Sequence, residues 1–562
     1  MLLSLLVFFP MLAMLVLFVI PNHMQKWYRY ITIGVCGVQL LMALYLFVQF
    51  TPSLAALHSE ESWFMQVRLP WIFLDLGRMG KLNIEYFLAL DGLNIYLVLL
   101  TSIVLFAAAW VSWSIKQNLK GFYALFLLMC TTVYGTFIAM DLFLFYIFFE
   151  LMLLPMYFLI GIWGGERREY ASVKFLIYTI AGSLLILLVL IAAYFSVIDP
   201  VKTAAYIAEG TSAADVQRML SLNQLPVGSL VHTLNISFLT DQANYIPGSV
   251  LHAVTTPTLW LFTIREWSLL FLLIGFLIKL PSFPFHTWLP DAHVEAPTPV
   301  SVVLAGILLK IGGYGLIRLA LPLFPQEMQS FSWALAMLGA FTIVYAAMNA
   351  LAMKDIKKLI AYSSISHMGF VTLGVATLTV EGIHGAVYQM FSHGIISSLL
   401  FILAGVLYER THDRSIENYR GLASVMPKFT IFVTIAFFAS LGLPGFSGFI
   451  AEFFTLIGAY DASSQGSFSI WVVLLAVLGV LITAGYYAWT IQRMFMGKYS
   501  YKSTWTRLAD LKDLSLREYT IQLALVLLMI AFGLFPNLLM DKTGGAGPAS
   551  VSEFPGTLSI QG

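Results

Sequence analysis

Residues 269–285 read LLFLLIGFLIKLPSFPF. An apolar run suited to a membrane-spanning helix ends at Lys279, and Pro281 and Pro284 follow at once. A proline removes a backbone donor and clashes with the preceding turn, so the helix must break there. Broken backbone at membrane depth is tolerated only inside protein or beside water. A buried cation and a broken helix therefore coincide. The pairing recurs in LGLPGFSGFIAEFFTLIG, residues 441–458, where Gly442, Pro444, Gly445 and Gly448 precede Glu452. Two further charges lie in apolar stretches: Glu150 in DLFLFYIFFELMLLPMYFLI, residues 141–160, and Lys310 in PVSVVLAGILLKIGGYGLI, residues 299–317. Each costs about 2.5–3.5 kcal/mol at the bilayer centre on insertion scales. Two acids and two bases held at that cost point to a proton or ion pathway, and interrupted helices in both halves of a chain point to a transport site.

Composition agrees. The chain has 562 residues, 59% hydrophobic and only 10% charged, against about 25% charged in soluble domains. The fold class is an all-α polytopic membrane protein. A span needs about 20 apolar residues, and continuously apolar runs exclude the alternating strands of a membrane barrel. Candidate spans are 2–20, 30–50, 86–113, 120–139, 141–163, 173–197, 265–288, 297–321, 330–352, 359–379, 383–408, 429–459, 468–492 and 518–540. That is about fourteen helices. Residues 2–20 lack the basic flank and cleavage site of a signal peptide and read as a retained first span. Residues 51–85 and 199–263 read as outside loops, the second a partly amphipathic flap.

Basic residues set the orientation. With both termini outside, the inside loops hold about twenty of the thirty Lys and Arg, including Lys26, Arg29, Lys116, Lys120, Arg167, Arg168, Lys354, Lys358, Arg414, Lys502, Arg507 and Arg517. The outside loops hold Arg68, Arg78, Lys81, Lys202, Arg218 and Lys542, with Arg265 at a border. A net charge of +1 gives no reason to expect a nucleic-acid partner.

Other polar residues sit between the buried charges. His393 lies in YQMFSHGIISSLL and His367 in AYSSISHMGF. Histidine changes charge near neutral pH and suits a proton relay, although a lone buried histidine is also a common hydrogen-bonded core residue. His286, His293 and Glu295, in PFHTWLPDAHVEAPTP, match no zinc spacing and read as a polar turn lining a proton inlet. Asp91 reads as a helix-end residue. Cys36 and Cys130 read as isolated small hydrophobes, too few for a disulfide framework or a metal site. Asn235-Ile236-Ser237 matches a glycosylation tripeptide that is common by chance. No phosphate-binding or dinucleotide motif occurs, so the transported species is small, most simply H⁺. A buried lysine loses proton affinity by desolvation and regains it beside a carboxylate. Glu150 and Lys279 can form such a switchable pair, with Lys310 the next station and Glu452 the exit group.

FELMLLPMYFLIGIWGG, FLIKLPSFPFHTWLPDAHVEAPTPVSVVLAGILLKIGGYGLIR, KKLIAYSSISHMGFV and LPGFSGFIAEF, from about residue 80 to 500, resemble the antiporter-like subunits of respiratory complex I. Glu452 fits the M-type branch, the counterpart of mitochondrial subunit 4, because L- and N-type subunits usually carry lysine there. The resemblance implies two inverted five-helix repeats with broken helices. It divides the chain into N-terminal helices at 1–119, a first repeat at 120–321, a second at 330–492, and an inside loop, last helix and outside tail at 493–562. It implies one proton channel on Glu150, Lys279, Lys310 and Glu452, and L- and N-type neighbours; the chain's length and the lack of a transit peptide point to a bacterial plasma membrane. It also implies no cofactor on this chain, with FMN, iron–sulfur clusters and quinone in partner subunits. An Mrp-type Na⁺/H⁺ antiporter subunit is the alternative, and a non-conducting scaffold would have no use for four buried charges.

Overall fold

The computed structural model describes the chain except for residues 52–62, 76, 78–79, 208–210, 226–227, 502–510 and 544–562. Arg78, Lys502, Arg507 and the expected outside tail past residue 543 lie outside the described residues. The first half contains α1 (Leu2–Val19), α2 (Gln25–Gln49), strands β1 (Met65–Asp75) and β2 (Lys81–Leu90), then α3 (Asn94–Val111) and α4 (Leu119–Ile138). Next come α5 (Leu142–Leu151), α6 (Leu153–Trp163), α7 (Arg168–Ser196), strand β3 (Val231–Thr233), α8 (Ile264–Lys279) and α9 (Trp288–Glu295). The helical segment α10 covers Thr298–Leu323. The second half adds α11 (Pro325–Ala352), α12 (Ile356–Ala376), α13 (Val380–Thr411), α14 (Pro427–Ser440), α15 (Ser447–Ser464), α16 (Ile470–Phe495) and α17 (Leu516–Leu534).

Among the described residues, twelve helices are long and apolar enough to cross a membrane. The two remaining predicted spans, 265–288 and 429–459, are the interrupted pairs α8–α9 and α14–α15. The breaks fall where Pro281, Pro284 and Pro444 deny the helix its donors. Helix starts follow local chemistry. Asp141 caps α5 by accepting from the amides of Phe143 (3.0 Å) and Leu144 (3.2 Å). Asp355 caps α12 through the Lys357 amide at 2.8 Å. Thr263 and Glu266 form a reciprocal capping box on α8, which satisfies two orphan donors. Segments α10 and α13 are buried over their whole apolar windows, whereas α1, α2, α7, α16 and α17 leave most of theirs open. The centre of the molecule is therefore the α10–α13 contact, and Lys310 and His393 lie on those two elements.

The helical fold expected from the sequence is joined by a small sheet outside the spans. β1 pairs antiparallel with β2, from Met65 opposite Leu90 to Asp75 opposite Lys81, with a bulge between Pro70 and Ile72. β3 adds in parallel at Lys81–Asn83. The predicted span 86–113 thus loses its first residues to a strand. Helix α3 starts at Asn94, after Asp91 has turned the chain by accepting from the amides of Leu93 and Asn94. The Asp91 carboxylate also pairs with Arg318 at 2.5 Å, so it is a helix-end residue as expected.

The 199–263 segment is tied down at Glu85. This buried carboxylate accepts from Arg68 (2.7 Å) on β1 and from Lys202 (2.5 Å) and Asn235 (3.3 Å) of the flap. Burial pushes the Glu85 carboxyl up, but hydrogen bonds and charge from Lys202 and Arg68 outweigh it and hold the group below its ordinary range. Its own amide donates to Asp141 at 3.3 Å, so hairpin, flap and the start of α5 share one knot. Asn235 is itself buried here and caps a short helix, which leaves its glycosylation tripeptide inaccessible. Within the flap, Val216 and Leu220 of Ala213–Ser221 face inward, the amphipathic pattern expected. Cys36 on α2 and Cys130 on α4 are free and buried. They are not isolated, since their side chains meet.

Candidate functional site

Lys310 is fully buried on α10, just past a π-helical stretch at Leu304–Leu308. A π turn shifts bonding to i→i+5 and often marks a functional site. Lys310 Nζ donates to the carbonyl of Ala305, five residues back. The same nitrogen stands 2.7 Å from Nδ1 of His393 on α13. The His393 ring centroid lies 5.3 Å from that of His367 on α12. His367 Nε2 reaches the Ser440 carbonyl at 2.9 Å and Glu452 Oε1 at 3.7 Å. Ser440 ends α14 and Glu452 sits on α15, so the break between them is what His367 faces. Lys310, His393, His367 and Glu452 are all buried, and adjacent members touch or lie one water apart.

Gly442 opens that break. It has φ +76°, and a Cβ built on it would stand 2.6 Å from Glu452 Oε2. The positive φ and the missing side chain together let the turn fold over the carboxylate. Ser440 in turn hydrogen-bonds the hydroxyl of Tyr487 at 2.7 Å.

On the other side the contacts are looser. Lys279, the last residue of α8, is buried and its Nζ has no hydrogen-bond partner. The ammonium instead stands 4.0 Å from the centroid of the Phe149 ring, within cation–π range. Glu150, the next residue along α5, is half-buried and accepts from the Tyr146 hydroxyl at 3.1 Å. The Glu150–Lys279 pair is therefore open in this structure. A bridge of packing joins Lys279 to Lys310: a Cβ on Gly312 would come within 2.6 Å of the Leu280 nitrogen and the Phe276 carbonyl oxygen. Gly312 thus lets α10 lie directly on the broken end of α8.

His286 and His293 are buried in and after the α8–α9 break, with both nitrogens of His293 unpartnered and its ring stacked on Phe401 at 4.3 Å. His286 lies apart from the Lys310–Glu452 run, whereas His293 is near enough to interact electrostatically with Lys310 and His393. Sequence reasoning missed Ser440, Tyr487, Tyr146 and the Ala305 carbonyl. Tyr487 had one signal, the Tyr486–Tyr487 pair within the apolar α16. A backbone carbonyl carries none.

Comparison with known proteins gives a consistent result. Residues 139–483 match the family described as NADH:quinone oxidoreductase/Mrp antiporter, TM. NADH-quinone oxidoreductase subunit M of Rickettsia bellii (strain RML369-C) is 36% identical over 544 residues, covering 96% of each chain. A chain of respiratory complex I from Thermus thermophilus with bound NADH superposes with TM-score 0.76 at 30% identity, covering 99% of this chain and 100% of that one. A chain of the Mrp complex from Dietzia sp. DQ12-45-1b shares the fold at TM-score 0.73 and 19% identity, covering 98% of this chain and 99% of that one. The chain therefore belongs to the NADH:quinone oxidoreductase/Mrp antiporter family of membrane subunits, and within it to the subunit M branch of NADH-quinone oxidoreductase.

Proposed function

We propose that the chain moves protons across the membrane as a subunit of NADH:quinone oxidoreductase, driven by quinone reduction in other subunits. Glu150, Lys279, Lys310 and Glu452 are the proton-transferring groups, and His393 and His367 are relays between the last two. The observation that carries this reading is the buried run from Lys310 through His393 and His367 to Glu452, with gaps of 2.7 Å, 5.3 Å between ring centroids, and 3.7 Å. A proton leaving the Lys310 ammonium goes to His393 Nδ1, and the ring releases its other proton toward His367. His367 passes charge to Glu452, whose carboxylate then delivers it to the exit. Each station is left ready to reload. Opening and closing of the Glu150–Lys279 pair sets when Lys279 gives up its proton toward Lys310. His286 and His293 line the inlet at the α8–α9 break.

FMN, iron–sulfur clusters and the quinone site belong to partner subunits, and L- and N-type subunits are the flanking neighbours. The membrane is the bacterial plasma membrane, with both termini outside. Residues 120–321 and 330–492 are the two inverted repeats, each carrying one interrupted helix.

The test is Lys310→Met in the assembled complex, reconstituted in proteoliposomes with NADH and quinone. Protons pumped per NADH oxidised should fall at least about tenfold, since general acid–base groups contribute 10²–10⁴. NADH oxidation by an artificial acceptor should stay unchanged. Full pumping would overturn the reading, and pumping that requires Na⁺ at constant pH would favour cation exchange instead.

A further inference from the structure

Five cations lie at helix ends on one membrane face, two of them over the Trp113 ring. Arg29 opens α2, Lys116 and Lys120 flank the α3–α4 turn, Arg517 opens α17, and Lys26 precedes Arg29 by three residues. All lie at helix ends that chain parity puts on the same side. The Arg29 and Arg517 guanidinium carbons stand 5.3 Å and 5.1 Å from the Trp113 ring centroid. Two like charges thus share one indole and concentrate positive charge at this helix end. Arg29 spends one amino group on the Ile115 carbonyl at 2.6 Å, while its Nε is buried with no hydrogen-bond partner. Lys120 reaches the Phe18 carbonyl at 3.0 Å. Of the nearby carboxylates, Glu518 is held by Arg410 at 2.7 Å, and Glu409 shares a crevice with Arg517 and feels its charge without a direct ion pair. Among the described residues, none of the five cations forms an ion pair with a carboxylate.

An apolar track runs away from these charges. Trp27 and Tyr30 are 52% and 54% exposed beside them. Gly34, Val38, Leu41, Tyr45 and Val48 continue the same exposed stripe of α2 at helical spacing. Aromatic residues at the headgroup level, cations beside them and an uncovered aliphatic stripe across the span are the chemistry that fits a phospholipid.

We propose that the Arg29–Trp113–Arg517 cluster binds the phosphate of an anionic phospholipid, whose acyl chain lies along the exposed face of α2. The charge complementarity selects an anionic headgroup over a zwitterionic one, and the continuous stripe selects a lipid over free phosphate. By the positive-inside rule this is an inner-leaflet site.

The intact complex in phosphatidylcholine nanodiscs, titrated with headgroup-labelled phosphatidylglycerol, tests this. The wild type should bind saturably with an affinity that weakens with salt. The double variant Arg29→Gln/Arg517→Gln should bind about thirtyfold more weakly, at roughly 1 kcal/mol per removed cation. Inorganic phosphate at equal concentration should not compete. Where the double variant fails to assemble, Arg29→Lys and Leu41→Trp carry the test, the first retaining binding and the second weakening it by crowding the track. Equal binding in wild type and double variant overturns the proposal. So does competition by inorganic phosphate, or cross-linking of Leu41→Cys to a neighbouring subunit instead of to lipid.

Discussion

The run from Lys310 to Glu452 and the run from Glu150 to Lys279 carry similar residues in opposite conditions. In the first, an amine, two imidazoles and a carboxylate are in mutual reach at the heart of α10, α12, α13 and α15. In the second, the lysine stands over an aromatic face without a hydrogen bond, and its carboxylate, in electrostatic reach but not in contact, bonds the Tyr146 hydroxyl. A buried lysine without a carboxylate partner is held against its charge, whereas one within reach of a base has somewhere to send its proton. On the proposed function, the closed arm passes charge and the open arm regulates whether charge arrives.

Lys279 separates the arms most sharply. Lys279→Ala and Lys279→Arg should both reduce coupled pumping by about 10²-fold, because arginine cannot deprotonate. Retained pumping in the arginine variant, measured as the H⁺/NADH ratio in proteoliposomes, would turn the open arm into a structural ion pair. His367→Phe cuts the closed arm while filling its space, and should lower pumping about tenfold with assembly intact. Unchanged pumping would mean that Lys310 and Glu452 communicate without the ring. Glu150→Gln should lower pumping and coupled oxidoreductase activity several-fold in a complex that still assembles, a smaller loss because Lys279 keeps its aromatic contact. Full pumping in assembled membranes would remove Glu150 from the mechanism. Gly442→Ala should cost about 1–2 kcal/mol of stability from its left-handed backbone, and it should displace the Glu452 carboxylate. Its signature is a lowered thermal midpoint with a shifted pH profile of pumping. The smallest effect is outside the membrane. Glu85 has a depressed carboxyl, so its contribution is present at neutral pH and lost as pH falls below about 4. Acid should lower the amide-exchange protection factors of residues 81–90 in the wild type, and Glu85→Gln should show the lowered protection already at pH 7.

The residues of both arms are legible in the sequence because a charge in an apolar run is costly and therefore conspicuous. The breaks are legible because proline and glycine announce them. The order along the closed arm is not. His367 stands between His393 and Glu452 because α12 packs against α13 and α15 near the α14–α15 turn, a tertiary fact absent from linear spacing. The hairpin at 65–90 was hidden by its own hydrophobicity: KLNIEYFLAL is apolar enough at its end to merge with the span that follows. The meeting of Cys36 and Cys130 likewise depends on how α2 lies against α4.

Glu150 is only half covered by its own chain. A lone copy in a bilayer would carry an ionisable group on its rim, at a cost of the order of 2.5–3.5 kcal/mol at mid-depth. A neighbouring subunit laid against α5 and α6 would lower that cost. On that arrangement the carboxylate would work as an adhesive, weak in the orphan and strong in the assembly. Compensating changes for a damaged Glu150 should accordingly arise in a neighbouring chain's gene as readily as in this one.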